Sequence, residues 1–332
     1  MSDPLRVAVL KGGRSLERAV SLRSGAQVQA GLERLGHEVR GIDAGSGLVA
    51  ELLEYQPDVA FIALHGREGE DGTIQSLLES LAIPYTGSGP SSSARCTNKV
   101  LAKHLMLEAG IPTPRFRTLQ ETSIRDLGAG AALPAIEAEL GFPMVVKPSH
   151  GGSAIGVKFA SGEDELPGAM VGAFSYDGTV LLERHVQGRD LAVSVLDTPT
   201  GGRGEEPPHA LPVVEAVPRE EEFYDYESRY EIGMTTFVCP AELPPETTAR
   251  AQQLAVQVYE LLGCHGFARV DLMLEQPEGH RQDTGELWVL ETNVVPGMTE
   301  TSLLPQAANA AALSFDELLE RVLQSAFDRT PR

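Results

Sequence analysis

Cysteine is scarce in this sequence of 332 residues, which contains only Cys96, Cys239 and Cys264. The number is odd and no C-x-x-C pair occurs, so the sequence encodes neither a disulfide framework nor a thiolate zinc site. Cysteines without such a pattern are typical of a protein from a reducing compartment.

Long apolar runs and positive charge are also lacking. No stretch reaches the roughly 18 apolar residues of a membrane span, and residues 1–4 show no basic region of a secretion signal. The 27 basic and 47 acidic residues give a net charge of −20, which repels nucleic acid and anionic membranes. We therefore predict a cytoplasmic enzyme or binding protein that has neither nucleic acid nor membrane as a partner.

The first part of the sequence alternates between short apolar runs and helical patterns. Residues 6–11 and 58–64 are predicted strands, and each is followed by a polar loop and a predicted helix. Such alternation indicates a parallel sheet. Because ligands bind at the carboxyl ends of parallel strands, the loops 11–17 and 65–72 are predicted to share one ligand-binding edge.

Two further units follow in the pattern of predicted strands and helices. At about 100 to 200 residues per domain, the length of the chain suits two or three domains. The predicted fold is α/β with three domains, at residues 1–97, 98–188 and 189–332.

A charged segment at about residues 219–232 contains Tyr224, Tyr226 and Tyr230. Such a segment can act as a lid whose aromatic rings close over a ligand. The alternative is a surface segment whose aromatic rings are tucked into the core.

Oxygen donors lie on two successive predicted strands near the end of the chain. Asp271 belongs to the first strand, and Glu291 and Asn293 end the second. Residues two apart on a strand point the same way, so the three side chains can hold one object if the strands are neighbours. Two carboxylates and an amide oxygen suit Mg²⁺. The alternative is acidic residues that solvate strand ends, but a carboxylate in an otherwise apolar strand needs a partner.

A glycine-rich loop that includes Gly151, Gly152 and Gly156 follows the predicted strand that ends at Lys147. The backbone N–H groups of such a loop can bind phosphate, and the lysine adds positive charge. The loop is neither a Walker A motif nor a dinucleotide fingerprint, because it lacks Gly-Lys-Ser/Thr and joins two strands. A flexible hairpin with a solvated lysine is the alternative.

His65 stands near two carboxylates, Glu70 and Asp71, after the second predicted strand. Zinc binding is excluded because no second histidine has ligand spacing. We expect both carboxylates to cap the helix that follows.

Several separated motifs occur in order: Gly12-Gly13-x-Ser15-x-Glu17-Arg18, His65-Gly66 with Gly69-Glu70-Asp71-Gly72, Pro84-Tyr85-Thr86-Gly87, Lys147-Pro148 with Gly152-Ser153, Tyr224-Asp225-Tyr226-Glu227 with Tyr230, Arg269-x-Asp271, and Glu291-x-Asn293-x-x-Pro296-Gly297-Met298-Thr299 with Ser302. Together they resemble the D-alanine:D-alanine ligase family of the ATP-grasp superfamily over nearly the whole chain. The resemblance implies an ATP-grasp fold that binds its nucleotide between the central and C-terminal domains.

The resemblance also implies a role for individual residues. It implies ATP binding by Lys99, Lys147, Glu183, Val186, Asp190 and Arg229. It implies two Mg²⁺ ions, for which Mn²⁺ can substitute, on Asp271, Glu291 and Asn293. The implied catalytic residues are Glu17, Ser153, Tyr230, Arg269 and Gly297, and the implied D-alanine-binding residues are Glu17, His65, Arg269 and Ser302. The positions that depart from the family pattern include Asn98, Gly151, Asp190 and Arg229.

The activity implied by the resemblance is ATP-dependent joining of two D-alanines through a D-alanyl phosphate, for the synthesis of peptidoglycan precursors. The partners are then the small molecules ATP and D-alanine, and a homodimer is one alternative for the assembly. Two alternatives remain: a related ligase with another acceptor, such as D-lactate, D-serine or another amino acid, and a non-catalytic nucleotide-binding module. The complete set of Asp271, Glu291 and Asn293 argues against the module, which has no need of three ligands.

Overall fold

Three β-sheets organise the described part of the chain in the computed structural model, which covers residues 4–197, 207–218, 235–276 and 285–327. The predicted lid at about 219–232, with Arg229 and Tyr230, lies outside the described residues. Each sheet belongs to a different stretch of the sequence, in agreement with an α/β fold of several units.

The first sheet is parallel and has the strand order β2-β1-β3. Its strands are β1 (Arg6–Lys11), β2 (Glu38–Asp43) and β3 (Val59–Ile62), and its helices are α1 (Arg18–Arg34), α2 (Leu48–Tyr55) and α3 (Thr73–Ser80). Val7 to Leu10 are fully buried, because a strand between two parallel neighbours with helices on its faces has no polar side. The predicted parallel sheet is confirmed.

The second sheet is antiparallel, with the order β4-β7-β5-β6. Helices α4 (Pro90–Thr97) and α5 (Lys99–Glu108) lead into it. Its elements are β4 (Phe116–Gln120), α6 (Glu121–Leu127), a 3₁₀ turn (Ala129–Ala132), α7 (Leu133–Leu140), β5 (Met144–Pro148), β6 (Lys158–Ala160), α8 (Leu166–Phe174) and β7 (Thr179–Arg184). The glycine-rich loop is the connection from β5 to β6, so it joins two strands as predicted.

The third sheet is antiparallel, with the order β11-β10-β8-β12-β13 and with β9 paired to β8. Its strands are β8 (Gly188–Leu196), β9 (His209–Ala210), β10 (Val214–Pro218), β11 (Thr235–Val238), β12 (Phe267–Glu275) and β13 (Leu287–Asn293). The helices of this part are α9 (Pro245–Leu262), α10 (Leu303–Ala310) and α11 (Phe315–Ser325). Within the described ranges, no helix is long and apolar enough to cross a membrane.

The cores show which parts of the chain are packed as one. Leu10 and Ile62 of the first sheet belong to the same buried cluster as Val258 of α9 and Leu272 of β12. The second sheet instead packs with α7 and α8 around a core of its own, within residues 119–182. The glycine-rich loop therefore extends from a separately packed unit toward the other two sheets. The division into domains at 97/98 and 188/189 stays a prediction.

Candidate active site

The two loops that follow β1 and β3 lie side by side. Ser15 Oγ donates to the backbone oxygen of His65 at 2.7 Å. A Cβ atom on Gly66 would lie 2.1 Å from Glu17 Oε2, and Gly66 has a φ of +73°. Only glycine combines that φ with so close an approach. The predicted shared edge of the two loops is therefore present, with Glu17 at its centre.

Glu17 is a buried carboxylate, with an exposed fraction of 7%. Ser153 Oγ of the glycine-rich loop donates a hydrogen bond to Glu17 Oε1. Burial, with a further contribution from the negative charge of Glu70, raises the pKa of Glu17 to about 7, while Ser153, His65 and Lys99 oppose the rise. A carboxyl group poised near neutral pH is typical of a functional site.

The glycine-rich loop reaches Glu17 through an unusual backbone conformation. Ser153 and Ala154 have φ values of +53° and +55°, a left-handed region that costs energy for residues other than glycine. A Cβ atom on Gly152 would lie 3.4 Å from Glu17 Oε1. The loop thus places Ser153 of the second unit against a carboxylate of the first.

His65 is buried beneath Glu17, and both of its ring nitrogens have partners. Its Nδ1 lies 2.9 Å from the backbone oxygen of Val295, and its Nε2 lies 3.0 Å from Ser24 Oγ. Ser24 Oγ also accepts a hydrogen bond from the backbone N–H of Met298 at 3.2 Å. His65 therefore ties the first sheet to the segment that follows β13.

The two carboxylates after His65 have different roles. Asp71 accepts hydrogen bonds from the backbone N–H groups of Glu68 and Thr73, each at 3.0 Å, as expected for a carboxylate at the start of α3. The same expectation is wrong for Glu70, which is buried with its Oε1 3.6 Å from His65 Nδ1. Glu70 faces the site because the turn that precedes α3 directs it inward and leaves Asp71 at the helix end.

Lys99 connects the glycine-rich loop to the third sheet. It is buried at the first position of α5, where Asn98 caps the helix by accepting from the N–H of Leu101 at 3.0 Å. Lys99 Nζ donates to the backbone oxygen of Gly151 and lies 3.4 Å from Glu291 Oε2. A single ammonium group thus contacts both sides of the cleft, which lies between the glycine-rich loop and β13.

The predicted oxygen donors share one face of the third sheet. β12 and β13 are antiparallel neighbours, with Asp271 opposite Glu291 and Arg269 opposite Asn293. Directly opposed residues of an antiparallel pair point to the same face. Arg269 donates to both carboxylate oxygens of Asp271, at 2.7 and 2.9 Å. The condition that the two strands are neighbours is met.

The chemistry of these donors suits a hard cation. The carboxylates of Asp271 and Glu291 and the amide of Asn293 offer only oxygen as metal-ligating atoms. Asn293 Oδ1 accepts from the N–H of Val295 at 3.0 Å, which orients the amide. In the part of the chain that the structure describes, no three His, Cys, Asp or Glu side chains gather as a metal site.

A buried cluster of three charges lies beside the glycine-rich loop. Glu183 Oε1 accepts from Lys147 Nζ at 2.8 Å, and its Oε2 lies 2.6 Å from Lys103 Nζ. Lys103 also donates to Thr113 Oγ1, which donates to the backbone oxygen of Val289 at 2.8 Å. Sequence reasoning found Lys147 and Glu183 but missed Lys103. Its spacing of four residues from Lys99 on α5 predicts a shared helix face but not its partner, Glu183.

The charges in this cluster shift one another's titration. Burial lowers the pKa of Lys103 to about 8, and Glu183 opposes the decrease. The pKa of Glu183 is lowered despite complete burial, because the two lysines outweigh the desolvation penalty. The cluster therefore holds two ammonium groups around one carboxylate and is a preformed cationic site.

The remaining predicted nucleotide residues lie where the second sheet leads into the third. Val186 is buried in the connection from β7 to β8. Asp190 of β8 stands opposite Met273 of β12, and side chains two apart on β12 share a face. Asp190 is thus placed on the same face as Asp271.

The segment after β13 forms a compact turn at the start of α10. A Cβ atom on Gly297 would lie 2.6 Å from Ser302 Oγ. Ser302 Oγ also accepts from the backbone N–H of Thr299 at 3.0 Å. Ser302 immediately precedes α10, whose first N–H groups favour an anion. Gly297 and Ser302, which the motifs place in one site, are therefore brought together.

Family models match both parts of the chain. One described as the D-ala D-ala ligase C-terminus matches residues 105–324, and one described as the D-ala D-ala ligase N-terminus matches residues 45–88. The chain belongs to the D-Ala–D-Ala ligase family. The D-alanine–D-alanine ligase of Syntrophotalea carbinolica is 44% identical over 97% of this chain and 96% of its own length. That of Moorella thermoacetica is 42% identical over 98% and 100%.

Solved structures of ligases have the same fold. The D-alanine–D-alanine ligase of Bacillus anthracis complexed with ATP superimposes with a TM-score of 0.79 and 31% identity over 98% of both chains. The VanG D-Ala:D-Ser ligase of Enterococcus faecalis has a TM-score of 0.78 and 27% identity over 98% of this chain and 100% of its own. The three-domain ATP-grasp architecture implied by the motifs is thus the architecture of this family member.

Glu17 should make the stability of the protein depend on pH. Its pKa is higher in the folded state than in the unfolded chain, so its stabilising contribution is present below about pH 4.5 and is lost as the pH rises through about 7. Replacing Glu17 by Gln removes this loss. The free energy of unfolding of Glu17→Gln minus that of the wild type should therefore increase by about 3 kcal/mol from pH 4.5 to pH 8. Urea unfolding across that range measures this difference.

The control for this measurement is Glu33→Gln, which changes an exposed glutamate of the same helix, α1. Its free energy of unfolding should stay within about 0.5 kcal/mol of that of the wild type. If the difference between Glu17→Gln and the wild type were the same at pH 4.5 and pH 8, it would contradict the raised pKa of Glu17.

Lys103 should stabilise the folded protein through Glu183. Lys103→Met leaves Glu183 paired with Lys147 alone and should lower the free energy of unfolding by about 1.5 to 3 kcal/mol, the usual cost of losing a hydrogen bond to a charged group. Adding Glu183→Gln leaves the buried ammonium group of Lys147 without its carboxylate and should not recover that loss. Lys158→Met changes an exposed lysine of the same unit and should stay within about 0.5 kcal/mol. A loss in Lys103→Met no larger than that in Lys158→Met would contradict the ion pair.

Proposed function

We propose that this protein catalyses the ATP-dependent ligation of two D-alanines to D-alanyl-D-alanine through a D-alanyl phosphate. The observation that carries the proposal is the position of Lys99, whose ammonium contacts both the glycine-rich loop and Glu291. A cation between a phosphate-binding loop and a set of oxygen donors is placed to hold a nucleotide triphosphate across the cleft.

In the first step, the carboxylate of one D-alanine attacks the γ-phosphorus of ATP. Lys99 and Lys147 bind phosphate oxygens and offset the charge that would repel the attacking carboxylate. Glu17, ionised, binds the ammonium group of this D-alanine, and Ser153 holds Glu17 in place. ADP leaves, and the substrate carboxylate becomes an acyl phosphate, which is a far better acyl donor.

Magnesium is part of the proposal. Asp271, Glu291 and Asn293 would hold two Mg²⁺ ions, with Mn²⁺ as a substitute. Bound Mg²⁺ would neutralise charge on the phosphoryl group during transfer. Arg269 and Lys99 already lie against two of these carboxylates, so the acidic ligands are compensated within the fold.

In the second step, the amino group of another D-alanine attacks the acyl carbon, and phosphate leaves. Arg269 and the Gly297 N–H stabilise the oxyanion of the tetrahedral intermediate, and one such donor is worth about 3 kcal/mol. Ser302, at the start of α10, binds the carboxylate of the second D-alanine. His65 positions the segment after β13 beside the binding site of the first D-alanine.

The other parts of the proposal concern nucleotide contacts, closure and cellular role. Glu183 and the backbone near Val186 bind adenine, and Asp190 binds the ribose. Arg229 and Tyr230, which lie outside the described residues, belong to a lid at about 219–232 that keeps water from the acyl phosphate. The product serves peptidoglycan synthesis in the cytoplasm. A homodimer is one alternative for the assembly of the protein.

The second candidate function is ligation to a different acceptor. It is favoured by the similarity of the fold to a D-Ala:D-Ser ligase, at a TM-score of 0.78. The two functions share the first step, because both activate D-alanine with ATP. They differ only in the nucleophile of the second step, so product analysis separates them.

We expect phosphate release from Mg-ATP to require D-alanine and to yield D-alanyl-D-alanine. The protein is incubated with Mg-ATP and each of D-alanine, D-serine, D-lactate and L-alanine, alone and mixed with D-alanine, and products are identified by mass. In the mixtures, D-alanine should be preferred to D-serine and D-lactate as the acceptor of the second step. Rapid turnover with L-alanine and none with D-alanine would overturn the assignment.

The proposed metal ligands should be essential for turnover but not for folding. Glu291→Gln and Asn293→Ala remove one oxygen ligand each and should abolish phosphate release at limiting Mg²⁺, with circular dichroism spectra like that of the wild type. Glu286→Gln, which changes an exposed residue next to the start of β13, is the control and should retain full activity. Full activity of either ligand variant would place the cation elsewhere.

A further inference from the structure

Two cysteines that are far apart in sequence meet in the fold. Cys96 at the end of α4 and Cys264 after α9 are 168 residues apart, and their sulfur atoms lie 3.6 Å from each other. Both are free thiols. Cys96 has an exposed fraction of 3%, and Cys264 is half-buried as a residue. The two thiols therefore form a close pair inside the fold.

The segments around the two cysteines are fixed against each other on both sides of the pair. Ser92 Oγ, one turn before Cys96 on α4, donates to Cys264 Sγ at 3.8 Å. The backbone N–H of His265 donates to Ser88 Oγ at 3.1 Å. Cys96 also belongs to the buried core that includes α9. The sulfur contact is thus part of an extended packing surface.

We propose that Cys96 and Cys264 are a redox site that closes to a disulfide in the presence of a low-molecular-weight disulfide such as oxidised glutathione. Bonding requires the sulfurs to approach by roughly 1.5 Å more. This proposal is independent of the proposed ligase activity.

The reaction proceeds by two exchanges. The Cys264 thiolate attacks one sulfur of the oxidant, which breaks the oxidant's S–S bond, releases one small thiol and leaves a mixed disulfide. The Cys96 thiolate then attacks Cys264 Sγ and releases the second small thiol. Two protein thiols lose two electrons and two protons, and the oxidant gains them.

The environment favours Cys264 as the first nucleophile. Hydrogen bonding from Cys96 lowers the pKa of Cys264, burial opposes the decrease, and Ser92 and Ser88 add smaller contributions that lower it. A larger thiolate fraction makes a cysteine more reactive toward disulfides. Cys96 is poised to resolve the mixed disulfide because its sulfur is already the neighbour of Cys264 Sγ.

The disulfide would link parts of the protein that already share one core. The loop that it closes contains the whole second sheet, since residues 97–263 lie between the two cysteines. A cross-link that closes a long loop restricts the unfolded chain strongly. We therefore expect the oxidised protein to be more stable to heat, by about 5 °C in melting temperature.

The experiment counts thiols after equilibration in glutathione redox buffers. The full chain is quenched in acid, unfolded, alkylated with N-ethylmaleimide and weighed by mass spectrometry. Reduced protein should gain three maleimides, and oxidised protein should gain one, on Cys239. Peptide mapping should find Cys96 joined to Cys264.

Cys239→Ser is the matched control and should lose both of its remaining thiols in the same buffers. Cys96→Ser should form no intramolecular disulfide and should show no rise in melting temperature on oxidation. Three maleimides on the wild type in the most oxidising buffer would overturn the proposal. So would a stable glutathione adduct on Cys264 beside a free Cys96, or equal melting temperatures of the oxidised and reduced protein.

Discussion

Compensation of buried charge is the constraint on which the rest of this structure depends. Five carboxylates of the cleft, namely Glu17, Glu70, Glu183, Asp271 and Glu291, are wholly or largely buried. Burying an ionised carboxylate without a partner is too costly for a marginally stable fold. Most of these carboxylates form ion pairs with cationic side chains, namely those of Lys99, Lys103, Lys147 and Arg269. At Glu17, where burial and the charge of Glu70 outweigh the opposing charge of Lys99, the pKa rises instead.

Polar contacts at the cleft also join the separately packed second unit to the rest of the fold. Lys99 begins α5 but its ammonium contacts the β5–β6 loop and β13. Ser153 belongs to the unit with its own core but donates to Glu17 of the first unit. These contacts are polar, whereas the first and third sheets share an apolar core. At the site, the second unit is therefore tied to the other two by hydrogen bonds and ion pairs.

Much of the fold and the site could be predicted from the sequence because the signals are local. A continuous apolar run predicts β3, the i and i+2 positions of Glu291 and Asn293 predict a common face, and the motifs predict the family. Local patterns fail where a partner lies far along the chain. Glu70 and Asp71 are equivalent as helix caps in the sequence, and only the turn before α3 decides which of them faces His65.

The same limit applies to Lys103 and to the two cysteines. A lysine on a helix is predicted to be solvated, and only the fold brings Lys103 of α5 to Glu183 of β7 in a buried ion pair. Cys96 and Cys264 have no pattern in the sequence, because a separation of 168 residues can be bridged only by the fold. Long-range contacts of this kind depend on the packing of whole units, which no local spacing encodes.

Under the proposed function, the raised pKa of Glu17 links substrate binding to proton release. The free site holds Glu17 and Glu70 close together, and like charges in a buried site favour protonation of one of them. An ammonium group brings the missing positive charge and favours the ionised carboxylate. Below about pH 7, binding of the first D-alanine must therefore displace a proton from Glu17. The site is thus complementary to the cationic amino group of D-alanine. The protein alone does not supply enough positive charge to keep Glu17 ionised below about pH 7.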